Sequence, residues 1–216
     1  MNVREQLSFV NKSTLLIAVL VIFYTVGIVG LLLPSSRNSF LALSFFNLML
    51  SFSIVLVARK SKFFPFLLFT IVCILYGYLA ELIGTKTGYL FGNYTYGESL
   101  GYKINGVPLV IGVNWALLIV ASSSLVANLK TNLFIKSVLA ALLMTLLDFL
   151  IEPVAIESDF WNWTDGSIPL YNYVSWFFVA LPLIYAYFKL NLVEANKVFN
   201  ALFILLILFF TILLIF

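Results

Sequence analysis

Apolar runs of about 20 residues follow one another along almost the whole of this 216-residue chain. About 20 apolar residues let an α-helix cross the roughly 30 Å hydrocarbon core of a bilayer. Seven such runs lie near residues 14–33, 39–58, 64–83, 106–127, 133–152, 170–188 and 196–216. Hydrophobic residues make up 63% of the chain and charged residues 10%, unlike a soluble protein. The sequence therefore predicts an all-α polytopic membrane protein in which residues 1–216 form a single transmembrane domain.

The first run is too long for a signal-peptide core and lacks a cleavage site of small residues, so we expect a retained helix.

Missing residue types exclude several functions. Without histidine the chain cannot form a His-rich di-iron site, a His-ligated haem or a Ser-His-Asp triad. The single cysteine, Cys73, allows no intrachain disulfide and is expected to be a packing residue. We expect no nucleic-acid partner, and the oligomeric state stays open.

Basic residues are concentrated in alternate connections of the seven-span prediction. Nine of the twelve fall on one side: Arg4, Lys12, Arg59, Lys60, Lys62, Lys130, Lys136, Lys189 and Lys197. By the positive-inside rule this side is cytoplasmic, so the N-terminus is predicted to lie in the cytoplasm of a prokaryotic cell whose cytoplasmic membrane holds the protein.

Acidic residues show the opposite distribution. Apart from Glu5 and Glu194, all are expected at the other side, which is therefore the non-cytoplasmic face. Glu98, Glu157 and Asp165 are consistent with solvated loops. The remaining acids of interest belong to hydrophobic runs, where charged groups are costly and usually functional: Glu81, Asp148 and Glu152.

Two stretches of the sequence resemble each other. FGNYTYG (91–97) aligns with FWNWTDG (160–166), and PLVIGVNW (108–115) aligns with PLYNYVSW (169–176). Each pair of stretches follows a span that ends in an acid. The pattern favours a parallel repeat of two helical hairpins, spans 3–4 (about 64–127) and 5–6 (about 133–188), related by an axis along the membrane normal with a site between them. Chance similarity in an aromatic-rich chain is the alternative.

Glycines at 84, 88 and 92 recur every four residues at the end of the third span. This spacing is typical of a close helix–helix contact if the helix continues that far. Turn glycines after the helix end are the equal alternative.

Asp148 and Glu152 are four residues apart and therefore share one face of a helix. Two carboxyl groups in a dry site do not both ionise cheaply, so one is expected to stay protonated as a proton donor. Glu81 is a third acid at similar depth, and Asn114 and Asn172 enter the following spans from the same side.

All four tryptophans are expected at this same membrane face, together with several tyrosines. An aromatic belt at the membrane interface would explain them without a function. Aromatic rings beside buried acids would also stabilise a transient cation.

These motifs resemble a known family. The block that contains Glu81, Thr87-Gly88, Phe91-Gly92, Tyr94, Tyr96, Gly106-Val107-Pro108 and Trp115, followed by Asp148, Glu152-Pro153, Phe160-Trp161, Trp163, Pro169, Asn172 and Trp176, is similar to membrane-bound carotenoid hydratases of the bisanhydrobacterioruberin hydratase and γ-carotene 1′-hydratase type. The resemblance covers about residues 76–180.

The resemblance implies cofactor-free addition of water to the terminal C1,2 (C1′,2′) double bond of an acyclic carotenoid end group, giving a tertiary alcohol. The partners would be a hydrophobic carotenoid, water and the bilayer. We expect Asp148 to donate the proton, with Glu81 or Glu152 orienting water. The substrate-binding residues implied are Tyr94, Tyr96, Asn114, Trp115, Trp161, Trp163, Asn172 and Trp176.

Three alternatives remain at this stage. A carotenoid end-group cyclase needs the same acid and the same cation. A proton-coupled or lipid transporter would use the acids as a relay. A pigment-binding protein without turnover would need only the aromatic residues.

Overall fold

The computed structural model describes the backbone of residues 3–216 and the side chains from Lys12 onward. The predicted contributions of Arg4 and Glu5 to the charge asymmetry lie outside those side chains. The helices are α1 (Val3–Leu32), α2 (Arg37–Ala42), α3 (Ser44–Ala58), α4 (Phe63–Thr87), α5 (Leu109–Val126), α6 (Leu133–Glu157), α7 (Leu170–Lys189) and α8 (Lys197–Ile215). Four short strands accompany them: β1 (Tyr94–Tyr96), β2 (Lys103–Ile104), β3 (Val107–Pro108) and β4 (Trp161–Trp163).

The prediction of an all-helical membrane protein is confirmed. Among the described residues, five helices are long and apolar enough to cross a membrane: Lys12–Leu32 in α1, α4, α5, α6 and α8. The other two predicted spans do not meet both conditions. Helix α3 has only 15 residues, and α7 is made less apolar by its tyrosines, Asn172 and Lys189.

The second apolar run, predicted as one helix near 39–58, is in fact divided. The chain leaves helical hydrogen bonding at Leu43, whose N–H donates to the carbonyl of Phe40, three residues back. A bond over three residues tightens the backbone for one turn, so α2 and α3 do not form one continuous helix. Helix α2 packs closely against α1 at Gly30. A Cβ atom at this position would come within 2.4 Å of the Phe40 ring.

Helix α5 is the central helix of the bundle. In the structure 83% of its residues are buried, compared with 39% of an 18-residue apolar stretch in α4 and of one in α6. It contacts α3, α4, α6, α7 and α8. Apart from Asn114 and the small residues Ser122, Ser123 and Ser124, its sequence is apolar on every side, which is typical of a fully enclosed helix.

Helix α4 ends at Thr87, so the glycines that follow it are turn residues. Gly88 is the C-cap of the helix with φ of 68°, and Gly92 has φ of 122°. Both angles lie in the left-handed region that favours glycine. Only Gly84 belongs to the helix, so of the two alternatives the turn glycines are confirmed at Gly88 and Gly92.

The α4–α5 and α6–α7 connections meet at one end of the bundle. Strand β1 of the first pairs antiparallel with β4 of the second, in the register Tyr94 with Trp163, Thr95 with Asn162 and Tyr96 with Trp161. The Thr164 N–H extends the pairing by donating to the Asn93 carbonyl at 2.9 Å. Strands β2 and β3 form a separate hairpin whose Asn105-Gly106 turn has positive φ at both residues, as a two-residue hairpin turn requires.

Candidate active site

A small cavity lies beside the β1–β4 pair, between α4, α5, α6 and α7. The volume within it that the centre of a water molecule can occupy is about 20 Å³. This is room for about one water. Its walls combine two glutamates, two asparagines and a majority of aromatic rings: Glu81, Phe91, Tyr94, Tyr96, Ile111, Asn114, Trp115, Glu152, Trp161, Trp163, Asn172 and Trp176. Ten of the eleven predicted site residues therefore line this one cavity, and Asp148 is the exception.

Glu81 of α4 is buried and accepts three hydrogen bonds. Its Oε2 atom accepts from the hydroxyls of Tyr94 and Tyr96, the latter at 2.7 Å. Its Oε1 atom accepts from the Trp115 indole N–H at 2.9 Å. The donors come from β1 and α5, so the α4–α5 hairpin supplies the whole hydrogen-bonded setting of this carboxyl group.

Tyr94 and Tyr96 lie in the connection between the two helices and keep their hydroxyl protons. Burial is the main cause that raises the pKa of each phenol well above its usual value, and the neighbouring Glu81 raises it further. Because a neutral phenol can donate, these residues remain hydrogen-bond donors to Glu81 over the whole physiological pH range.

Glu152 of α6 has an equivalent setting made of different groups. Its Oε2 atom accepts from the indole N–H groups of Trp161 at 3.0 Å and Trp163 at 2.8 Å. Its Oε1 atom accepts from the Asn172 amide at 3.1 Å. All three donors are N–H groups, and the two indoles carry no acceptor atom that could take a hydrogen bond from the carboxyl group.

Asp148 lies one turn before Glu152 on α6 and is fully buried, with no exposed surface. Its Oδ2 atom accepts from the Asn172 amide at 3.2 Å. Its Oδ1 atom has no hydrogen-bond partner among the described residues. Asp148 is therefore next to the cavity through Asn172, which bonds to both acids, but it is not part of the cavity wall.

The indoles of Trp115 and Trp176 stack above this cluster, with ring centroids 4.4 Å apart and planes 16° from parallel. Phe91 lies between them and β1, with its centroid 6.4 Å from Trp115 and 6.3 Å from Trp176. Close packing against α4 requires Gly77, since a Cβ atom there would come within 2.5 Å of Trp115. The aromatic wall is thus part of the helix packing as well as of the cavity.

The three buried carboxyl groups accept hydrogen bonds from uncharged side chains. In the part of the chain with described side chains, the one salt bridge joins Lys103 and Glu98, outside the cluster. The same part of the chain contains no group of His, Cys, Asp and Glu residues arranged to hold a metal ion. The arrangement can hold carboxyl groups in different protonation states beside an aromatic wall, which is suited to acid–base chemistry.

Sequence reasoning missed Phe91 and Ile111 on the cavity wall. Phe91 begins the first of the two similar stretches, so its position there was an available signal. Ile111 had none, because it is one of many aliphatic residues in α5.

The fold and the site together define an all-helical integral membrane protein with a buried cluster of carboxyl groups walled by aromatic rings. A family model described as "Carotenoid biosynthesis protein" matches residues 38–216. The chain belongs to this family of carotenoid biosynthesis proteins.

A curated relative, the bisanhydrobacterioruberin hydratase of Haloarcula japonica, is 32% identical over 112 residues. The matched region covers 47% of this chain and 38% of the relative, so the chain matches well under two thirds of the relative's length. No solved structure matches the chain. The resemblance to carotenoid hydratases that was seen in the motifs is confirmed by the family and by this relative.

Proposed function

We propose that this protein is a carotenoid hydratase that adds water, without a cofactor, to the terminal C1,2 (C1′,2′) double bond of an acyclic carotenoid end group. The product is a tertiary alcohol. One observation carries the proposal: three buried carboxyl groups accept unequal numbers of hydrogen bonds around a cavity with room for about one water. Family membership and the hydratase relative support the carotenoid substrate.

Asp148 is the proposed proton donor. A proton on Oε2 of Glu152 would point at an indole N–H group, since both partners of that oxygen are indole donors. Asp148 accepts one hydrogen bond and has one oxygen without a partner in the described residues, so a proton fits there without displacing a donor. A neutral Asp148 also avoids a further negative charge in a dry cluster.

Protonation of C2 of the end group would break the π bond and leave a tertiary cation at C1. The stacked indoles of Trp115 and Trp176 present aromatic faces near the site, which favour a cation. Glu81 and Glu152 add negative charge whose position is held by three hydrogen bonds each, so little reorganisation is needed when the cation forms.

Water then completes the reaction. Its oxygen forms a bond to C1, and one of its protons passes to Glu81, whose tyrosine partners can turn their hydroxyls. Glu81 or Glu152 orients the water with the help of Asn114 and Asn172. Return of one proton to Asp148 restores the enzyme. The sum is the addition of one water molecule without oxidation or reduction, so no redox cofactor is required. Tyr94, Tyr96, Trp161 and Trp163 hold the carboxylates and the end group.

We further propose seven spans with a cytoplasmic N-terminus, a site toward the non-cytoplasmic face of a prokaryotic cytoplasmic membrane, and a parallel repeat of two hairpins at about 64–127 and 133–188. Two observations support the repeat. Tyr94 and Trp163, which are equivalent in the aligned stretches, are opposite each other in the β1–β4 pair. Trp115 and Trp176 are also equivalent and stack on each other. An axis along the membrane normal brings equivalent residues together in this way.

Expression in a lycopene-producing bacterium, followed by mass spectrometry of the extracted pigments, tests the reaction. Hydration adds about 18 mass units per modified end. A product with the mass of lycopene and a changed absorption spectrum would instead indicate a cyclase. Unchanged pigment would contradict both enzymes, and pH-dependent movement of lipid or charge in vesicles would then support a transporter.

A further inference from the structure

Two further cavities lie beside the candidate active site, on the side of α1, α3 and α8. We call the nearer one the middle cavity. The volume within it that the centre of a water molecule can occupy is about 80 Å³. It shares three wall residues with the active-site cavity: Ile111, Asn114 and Trp161. The rest of its wall is mainly aliphatic and aromatic and includes Leu48 of α3 and Phe209 of α8.

The second, which we call the outer cavity, is larger, at about 260 Å³ for the centre of a water molecule. It shares Ser44, Asn47 and Phe209 with the middle cavity. Its remaining wall includes large apolar side chains that are about half exposed: Phe23 at 50%, Val26 at 51%, Leu43 at 48% and Phe46 at 63%. In a membrane protein, exposed side chains of this kind face lipid.

The three cavities share walls in sequence, from the lipid-facing surface of α1 and α3 to the buried carboxyl groups. We infer that they form a binding passage for the linear apolar chain of the substrate, which enters sideways from the bilayer with its reacting end first. This inference rests on the proposed function and adds to it the route and the shape of the substrate.

Solvation favours this occupant. A long polyene is dissolved in lipid, and reaching the site through water would expose its whole apolar surface, at a cost in free energy that grows with that area. A passage with an apolar wall and a lipid-facing end avoids that exposure. It also selects an acyclic end group over a ring, since the reacting end must pass between α3 and α8 before it reaches Trp161.

The passage contains polar atoms only at its junctions and near Tyr24. Asn47 lies where the outer and middle cavities meet, and its Oδ1 atom has no hydrogen-bond partner among the described residues. Asn114 lies where the middle cavity meets the active site. A buried acceptor without a donor costs free energy, and a water carried in with the substrate would satisfy it.

The test places a large side chain at Ser44, which lines both the middle and the outer cavity, and so blocks the passage there. Ser44→Phe is compared with Ser53→Phe, a matched control on the same helix, since Ser53 is exposed and lines none of the three cavities. Two readouts are used with wild type and both variants. The first is hydrated pigment in lycopene-producing cells, and the second is the induced circular dichroism of lycopene bound to the purified protein.

We expect Ser44→Phe to lower both readouts at least about tenfold, and Ser53→Phe to stay within about twofold of wild type. Equal amounts of hydrated product from the two variants would contradict the proposed passage and leave the proposed hydration reaction unaffected. Induced circular dichroism that Ser44→Phe abolishes, with no hydrated product from any protein, would support the passage and refute the proposed reaction.

A second variant covers the case in which Ser44→Phe does not fold. Gly27→Leu narrows the outer cavity, where an added Cβ atom would meet only Phe209, at an ordinary 3.4 Å. It should lower the induced circular dichroism and the hydrated product at least about threefold. Values equal to wild type in a well-folded Gly27→Leu protein would contradict the passage.

Discussion

The α4–α5 and α6–α7 hairpins each surround one buried glutamate with three hydrogen-bond donors, but the donors differ. Glu81 is bonded by two tyrosine hydroxyls and one indole. Glu152 is bonded by two indoles and one amide. A hydroxyl can turn and accept a hydrogen bond, whereas an indole N–H group cannot. We therefore expect the first hairpin to tolerate a change of protonation at its glutamate more readily than the second.

The hairpins also differ one turn before each glutamate. In the α4–α5 hairpin this position is Gly77, where a side chain would collide with Trp115. In the α6–α7 hairpin it is Asp148, a third acid with an unpaired oxygen among the described residues. The shared arrangement surrounds each glutamate with three donors, and the difference adds Asp148, the proposed proton donor.

The largest effect is expected when this difference is removed. Asp148→Asn takes away the proposed proton while keeping the size of the side chain, and hydrated product should fall at least about 100-fold. Mass spectrometry of pigments from lycopene-producing cells measures it. Asp165→Asn, on an exposed residue of the β4–α7 connection, is the matched control and should behave as wild type. Full hydration by Asp148→Asn would show that another group is the donor.

The two glutamates should respond unequally to the same substitution. Gln at 152 brings an amide N–H group against indole donors that cannot accept, or against the Asn172 amide, which could accept only by giving up its bond to Asp148. Glu152→Gln should therefore lower the free energy of unfolding by about 1–3 kcal/mol. Gln at 81 can donate to Tyr94 or Tyr96, so Glu81→Gln should cost less, about 1 kcal/mol. Thermal unfolding of the two purified variants in the same detergent compares them. An equal or reversed order would contradict the assignment of the donors.

The two stacked tryptophans should also differ. Trp115→Phe weakens the stack and removes the donor to Glu81, whereas Trp176→Phe weakens only the stack. A hydrogen bond to a charged group contributes about 1.5–3 kcal/mol and an aromatic pair about 0.5–1.5 kcal/mol. Hydrated product should therefore fall about tenfold in Trp115→Phe and about threefold in Trp176→Phe. Similar losses in both variants would show that the bond to Glu81 contributes little.

The smallest effect is a pH dependence that belongs to the first hairpin. The pKa values of Tyr94 and Tyr96 are raised in the folded protein above the usual value of about 10. Their contribution to stability is therefore complete below pH 10 and is lost as pH rises above 10, where the unfolded chain ionises. Phenolate absorbance compared between wild type and Tyr94→Phe/Tyr96→Phe measures it. Ionisation of these two residues near pH 10 in folded protein would contradict the prediction.

Much of the candidate site follows from local patterns in the sequence. Apolar runs of span length located the helices, and acids inside those runs identified Glu81, Asp148 and Glu152. The repeat of FGNYTYG and FWNWTDG singled out Tyr94 and Trp163, which the structure pairs in β1 and β4. These signals are readable because helix length and the cost of a buried charge depend on residues that are near in sequence.

The hydrogen-bond partners could not be predicted in this way. The donors to Glu81 are 13, 15 and 34 residues away along the chain, so their meeting depends on how α4, α5 and β1 pack. The break at Leu43 was also missed, because the apolar run continues through it without a proline or glycine. The interior position of Asp148, behind Asn172, depends on the rotation of α6 and α7 against each other.

The sequence by itself determined that this is a helical membrane protein with three acids placed where acids are costly, because hydrophobicity and charge act at each residue regardless of its neighbours in space. Tertiary structure alone decided which acid is held by three N–H groups, which keeps an unpaired oxygen, and which cavities connect the site to the lipid-facing surface. Those properties arise from contacts between separate helices, and contacts of that kind exist only once the bundle has packed.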